Sequence, residues 1–234
     1  MKLFYKPGHI NSNPKNAYKL MQNIVTNGIK QKQSIDDISF YAELHAIGDS
    51  FTRQNQLTEM NKSSKRFAEL LVSLGNGKLA GIIYSFLIKL NYNNPELVEQ
   101  LATNGLAIAK RFNDPVHKMA RAENLVKIYE KTQFGQTKHI QMLYTEKRAL
   151  VQICKDYDKA NNKFQTITRK MKPFENYEKM LSAIKIKIAE LIMNDKPKDA
   201  IRELKEAKEI ISKYGTGANL KKINNLLNKL EGNS

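Results

Sequence analysis

The 234 residues carry 39 Lys+Arg against 23 Asp+Glu, a formal charge of +16, with 41% hydrophobic residues and no tryptophan. That share supports a sizeable core without staples, and a single cysteine, Cys154, excludes an internal disulfide and any multi-cysteine metal site. No run of about 18 uncharged apolar residues occurs, and MKLFYKPGHINSNPKN carries neither an apolar core segment nor a small-residue cleavage site; neither a transmembrane helix nor a signal peptide is expected, and the expected compartment is the cytoplasm.

Only the first ten residues, MKLFYKPGHI, fit an extended segment. Beyond them the prolines act as punctuation. Pro14, Pro95, Pro115, Pro173 and Pro197 each precede an apolar-periodic stretch. Proline at the first helical position loses no hydrogen bond, and the Asn or Asp before Pro14, Pro95 and Pro115 can cap the helix. Reading from these starts predicts helices over 14–31, 35–55, 59–75, 78–92, 95–112, 115–132, 137–170, 174–194, 197–213 and 218–231. Gly75-Asn76-Gly77, Gly135 and Gly215-Thr216-Gly217 fall between them as stops or turns. Within the segments apolar residues recur at three and four, as in Leu181, Ile184, Ile188, Leu191 and Ile192, with no sustained alternation. The expected fold is all-α, and the short connections require antiparallel helical hairpins.

Two stretches share an internal pattern. In ELVEQLATNGLAIAKRFNDPVHKMARAENLVKIYEK a helix ends in LAIAK, turns at Asn113-Asp114, and is followed by a helix carrying Ala122, Leu125 and Tyr129. In LSAIKIKIAELIMNDKPKDAIRELKEAKEI, Ala189 precedes the turn and Ala200, Leu204 and Ala207 follow it at spacings of four and three. Ile47, Gly48 and Phe51 form a weaker copy, and AGIIYSFLIKLNY a weaker one still. This resembles the tetratricopeptide repeat, in degenerate form: the marker residues Ile47, Ile83 and Leu125 are 36 and 42 apart where the family implies a period near 34. An irregular helical bundle would share the fold class. The resemblance implies a solenoid of stacked hairpins over 35–217, after an N-terminal segment and first helix over 1–34, with a capping helix and tail over 218–234. It also implies burial of Ala189, Ala200 and Ala207 at helix contacts, and a concave groove suited to a peptide or partner protein.

Catalytic chemistry finds no foothold. His9, His45, His117 and His139 are far apart and form no metal-binding spacing, and GNGKLAG lacks the spacing and preceding strand of a phosphate loop. Cys154, in ALVQICKDY, reads as a packing thiol. No catalytic residue, metal or cofactor is assigned. The family's first helices line the groove, where a clamp of Lys, Asn and Arg can hold a carboxylate. Arg121, Asn124 and Lys127 fit such a clamp on one helix, the asparagine directly preceding Leu125.

From Lys138 to Lys187 twelve basic residues face five acidic ones, Lys147, Arg148, Lys155, Arg169 and Lys170 among them, forming a candidate basic surface. Arginine is scarce and Asn abundant, which matches the amino-acid bias of an AT-rich genome and disfavours bidentate reading of nucleic acid. The function expected is a non-catalytic protein- or peptide-binding module with an acidic partner. The alternative is a nucleic-acid-associated regulator whose basic helices track phosphate.

Overall fold

The turns between helices repeat one piece of backbone geometry. Lys32, Asn55, Gly75 and Asn113 have φ values of 57°, 55°, 76° and 49°. After each, the next amide donates to the carbonyl five residues back: Gln33 to Gly28 at 2.8 Å, Gln56 to Phe51 at 2.9 Å, Asn76 to Leu71 at 2.8 Å and Asp114 to Ala109 at 2.9 Å. This left-handed stop satisfies carbonyls that the ending helix leaves open. After Asn55, Gly75 and Asn113 the following residue precedes the next helix directly, and Asn76 and Asp114 accept from the amides of Leu79 and His117; after Lys32 four residues intervene before the next helix. At Gly75-Asn76 and Asn113-Asp114 one short turn thus ends one helix and caps the next.

The computed structural model describes residues 13–131, 135–156, 174–214 and 217–232, which form ten helices and no strand. They are α1 (Pro14–Lys30), α2 (Asp37–Arg53), α3 (Leu57–Ser73), α4 (Gly77–Leu90), α5 (Pro95–Arg111), α6 (Pro115–Tyr129), α7 (Gln136–Asp156), α8 (Phe174–Ile192), α9 (Pro197–Ser212) and α10 (Gly217–Glu231). The fold is all-α, built of antiparallel hairpins. Asn13 and Asn94 cap as their Asn-Pro pairs imply, accepting from Asn16 and Leu97 at 3.1 Å, whereas Lys196 starts α9 with no side-chain cap. The long helix expected over 137–170 is described as far as Asp156; its remainder, Pro173 and the extended segment expected at 1–10 lie outside the described residues.

The chain divides into two compact units, between His117 and Lys118. In the first, α2 packs on α3, and α4 packs on α2, α3 and α5. Close approach of α2 and α4 depends on Gly48, where an added Cβ would lie 2.6 Å from the ring of Phe86. Gly81 on α4 likewise accepts the ring of His117, which its own Cβ would meet at 2.8 Å. Tyr18, Phe40, Phe51 and Phe67 complete this core in edge-to-face pairs with centroids 6.2–6.4 Å apart.

In the second unit α7, α8, α9 and α10 pack in chain order. The α8–α9 hairpin is the closest-packed pair. Ala189, Ala200 and Ala207 are 1% exposed or less, and Ser182 on α8 donates to the carbonyl of Ala207 at 3.1 Å. A side-chain hydroxyl reaching a backbone carbonyl of the facing helix requires residues this small at the contact, as their spacing in the sequence implied.

Candidate functional site

The second unit buries charge. Lys185 on α8, 4% exposed, projects between two α9 carboxylates, pairing with Glu203 at 3.1 Å and with Glu206. Glu203, 2% exposed, also receives Lys147 from α7. Burial pushes the Glu203 carboxyl up, but Lys147 and Lys185 hold it on balance below its usual range. Two ammoniums and two carboxylates close a neutral network across three helices. Such a network costs desolvation and rewards one register, because any slip strands a buried charge. Lys147 further places its ammonium over the Tyr144 ring at 4.8 Å from its centroid.

A second cluster joins α6, α7 and α8. Lys127 pairs with Glu123 at 2.8 Å within α6, and Lys187 from α8 reaches Glu130 at 2.9 Å. Glu146 on α7 is 4% exposed. Its carboxyl is pushed up to about 7, first by burial and then by the Glu123 charge, against the pull of Lys127 and Lys187. His139, one helical stretch earlier on α7, is also buried, and burial and Lys187 both lower its basicity. Near the C-terminal end of the unit, Glu178 accepts from Tyr214 and pairs with Lys213 at 3.1 Å. Cys154 is half-buried, its thiol pushed up to about 11 by burial and then by Glu178, which leaves no reactive thiolate at neutral pH.

The residues expected to form a clamp do not share an open face. Arg121 is 2% exposed. Asn124 spends its amide on the carbonyl of Ala120 at 2.8 Å, and Lys127, though exposed, is bonded to Glu123. The reason lies in helical phase: Arg121 follows His117 by four and precedes Leu125 by four, both of them buried, so it belongs to the buried stripe of α6. Of the expected basic surface, Lys147 turns inward to Glu203, with 17% of its side chain exposed. Arg148 and Lys155 remain exposed, with no acidic partner among the described residues, and Arg169 and Lys170 lie outside those residues. Lys138, Gln141, Arg148, Gln152 and Lys155 are exposed along one side of α7, where Gln152 donates to Asp156 at the end of the helix. Among the described residues no three His, Cys, Asp or Glu side chains are placed to hold a metal ion, and no helix is long and apolar enough to cross a membrane.

No family model matches the chain, and no curated protein matches it significantly. Among solved structures it is similar to a circular tandem repeat protein with novel repeat topology and enhanced subunit contact surfaces, at 13% identity and a TM-score of 0.28 over 92% of this chain. The chain spans 50% of the length of that protein. It is also similar to a de novo designed helical repeat protein, at 12% identity and a TM-score of 0.26, over 97% of this chain and 95% of the other. The fold assignment rests on the helices and turns of the chain itself.

Proposed function

We propose that the chain is a non-catalytic binding module of tetratricopeptide-like hairpins, and that it takes an acidic peptide or partner protein. One observation carries the reading: the exposed strip of α7 presents Arg148 and Lys155 with no acidic partner among the described residues, while the part-buried Lys147 and the buried Lys185 of the same unit are spent on Glu203 and Glu206. Seven residues apart on a helix, the two side chains stand about 10 Å apart along the axis and on the same side. That spacing suits two carboxylates two turns apart on a partner helix. Guanidinium and ammonium at such positions steer an anionic partner and fix its register more than they add raw affinity.

The test is binding of a labelled helical peptide bearing carboxylates seven residues apart, against a neutral peptide of the same length and a single-stranded RNA. We expect micromolar affinity for the acidic peptide, lowered about tenfold by Arg148→Ala together with Lys155→Ala, since two exposed charge contacts contribute about 0.2–1 kcal/mol each. Tighter binding of the RNA, with an affinity falling steeply in log salt, would establish the phosphate-tracking reading instead.

A further inference from the structure

The first unit distributes its charge unevenly among its helices. α1 carries Lys15, Lys19 and Lys30 with no carboxylate, and α3 carries Lys62, Lys65 and Arg66 against Glu59 and Glu69. α2 and α4 together hold three cations against three carboxylates, and α5 holds two against two. A compositional bias toward lysine would raise every helix alike, whereas here the surplus falls on two. Contacts that advance together along both helices set these two side by side and parallel. Lys15 pairs with Glu59 at 2.7 Å, and one turn further the Tyr18 hydroxyl donates to Ser64 at 3.0 Å while the Tyr18 ring meets Phe67 edge to face.

Glu59 is thereby taken by Lys15, and Lys65 donates to Gln100 of α5 at 3.4 Å. The remaining carboxylate, Glu69, bears on Tyr84 of α4. Lys19, one turn beyond Lys15, and Lys62 and Arg66 are exposed with no acidic partner among the described residues. The interval of four runs on from Lys62 and Arg66 to Leu70, so the three share one face of α3. Leu70 is 41% exposed, and Leu20, next to Lys19, is 51% exposed. These are two of the four large hydrophobic side chains found exposed among the described residues. A single-stranded nucleic acid would engage the cations and leave the leucines in water, and it stacks its bases on exposed rings, whereas Tyr18 and Phe67 are both buried. An anionic lipid surface satisfies both kinds of side chain: headgroup phosphates draw Lys and Arg, and the acyl boundary accepts leucine.

We propose that the α1–α3 face of the first unit docks on an anionic phospholipid bilayer, with Lys19, Lys62 and Arg66 on headgroup phosphates and Leu70, flanked by Leu20, entering the interface. The association is peripheral and reversible. Three cations contribute about a hundredfold in affinity, at roughly fivefold each, and their attraction fades with added salt. The face is separate from the α7 strip, which belongs to the second unit.

The test is co-sedimentation of the full chain with vesicles of phosphatidylcholine, alone or mixed with an equal part of phosphatidylserine. Binding is expected to the mixed vesicles only. It should fall about a hundredfold when Lys19→Ala, Lys62→Ala and Arg66→Ala are combined, and several-fold in Leu70→Ser, the latter by a factor that salt does not diminish. Arg148→Ala with Lys155→Ala, which removes charge from the second unit, should leave most of the binding in place. An equal loss in that variant would assign the effect to net charge and overturn the proposal, as would equal binding to both kinds of vesicle. RNA bound through the same three cations, with the vesicles unbound, would overturn it too. Amine labelling of the unmodified protein decides the matter even if the triple variant fails to fold: mixed vesicles should shield Lys19 and Lys62 and leave Lys155 open, and the reverse pattern would refute the docking face.

Discussion

Among the described residues, the buried polar side chains of the unit that ends at His117 are Ser50, Ser64, Asn91 and His117; in the unit that begins at Lys118 they are Arg121, His139, Glu146, Glu178, Ser182, Lys185 and Glu203. The first unit closes its helices by shape, with glycine notches for Phe86 and His117 and edge-to-face aromatic pairs. Every aromatic pair found among the described residues lies in that unit. The second closes them by charge. Sequence composition already leans this way, since residues 1–117 hold 14 Lys+Arg and 9 Asp+Glu, and residues 118–234 hold 25 and 14. Shape tolerates salt and pH; buried charge answers to pH and punishes the loss of either partner. One chain therefore uses two physical means to the same hairpin architecture, and substitutions separate them.

The largest effect is expected at Glu203. Removing it by Glu203→Ala strands Lys185, of which 6% of the side chain is exposed, with only the exposed Glu206 as partner. Urea unfolding should show a loss of about 3–5 kcal/mol for breaking a buried pair from one side. Replacing both partners, Lys185→Met with Glu203→Leu, should recover most of it, because the desolvation penalty disappears with the charges. The Glu203 carboxyl is held below its usual range, so its contribution is present above the ordinary carboxylate value and is lost as pH falls through the lowered one. A cost below about 1 kcal/mol, the scale of an exposed pair, would mean that the second unit is held by packing like the first.

Steric substitutions come next and reach both units. Gly48→Ala sets a methyl 2.6 Å from Phe86, a fully buried ring that packs edge-to-face with His45 at 5.3 Å between centroids. In the α8–α9 contact, Ala200→Phe forces a ring into a site with no exposed surface. Each is expected to cost about 1–3 kcal/mol by overpacking, with no dependence on pH between 5 and 8. A pH-dependent cost at Gly48 would blur the distinction between the units. Below these stands the cap: Asn94→Ala leaves the amide of Leu97 without its acceptor and should lower stability by about 1 kcal/mol, read as a shift of the thermal midpoint.

What the sequence disclosed and what it withheld follow the same division. Helix starts at Pro14, Pro95 and Pro115 were legible because proline and its capping neighbour act within one turn of backbone, and the start at Pro197 because proline alone does. The small residues Ala189, Ala200 and Ala207 were legible because close approach admits few residue types. Buried charge was not, because a charged residue is taken as solvent-facing by default. Its signal was nevertheless present in the spacing. Lys185 falls between Ser182 and Ala189 at intervals of three and four, Glu203 between Ala200 and Ala207, and Glu146 between Leu143 and Leu150, each on a buried stripe. Arg121 belongs to the same class, which is why the clamp expected on α6 does not have three open side chains. A charged residue in phase with an apolar stripe reads as a partner for another such residue on the facing helix.

The smallest effect concerns the turns and improves on the natural residue. Lys32 holds φ at 57° at the end of α1, the same position that Gly75 fills at 76° after α3. An L-residue in this region suffers a contact between Cβ and the following carbonyl that costs about 1–2 kcal/mol, whereas glycine has no Cβ and loses only the entropy of a freer unfolded chain, about 0.5–1 kcal/mol. Lys32 is exposed and has no ion pair among the described residues to set against the strain. Lys32→Gly is therefore expected to stabilise the first unit by about 0.5 kcal/mol. The mirror change, Gly75→Ala, meets nothing within 4 Å of the added Cβ, so its cost isolates the backbone term alone. Opposite signs of similar size in the two midpoints would confirm that both turns are the same device; a destabilised Lys32→Gly would show that the lysine side chain, not the turn geometry, holds the end of α1.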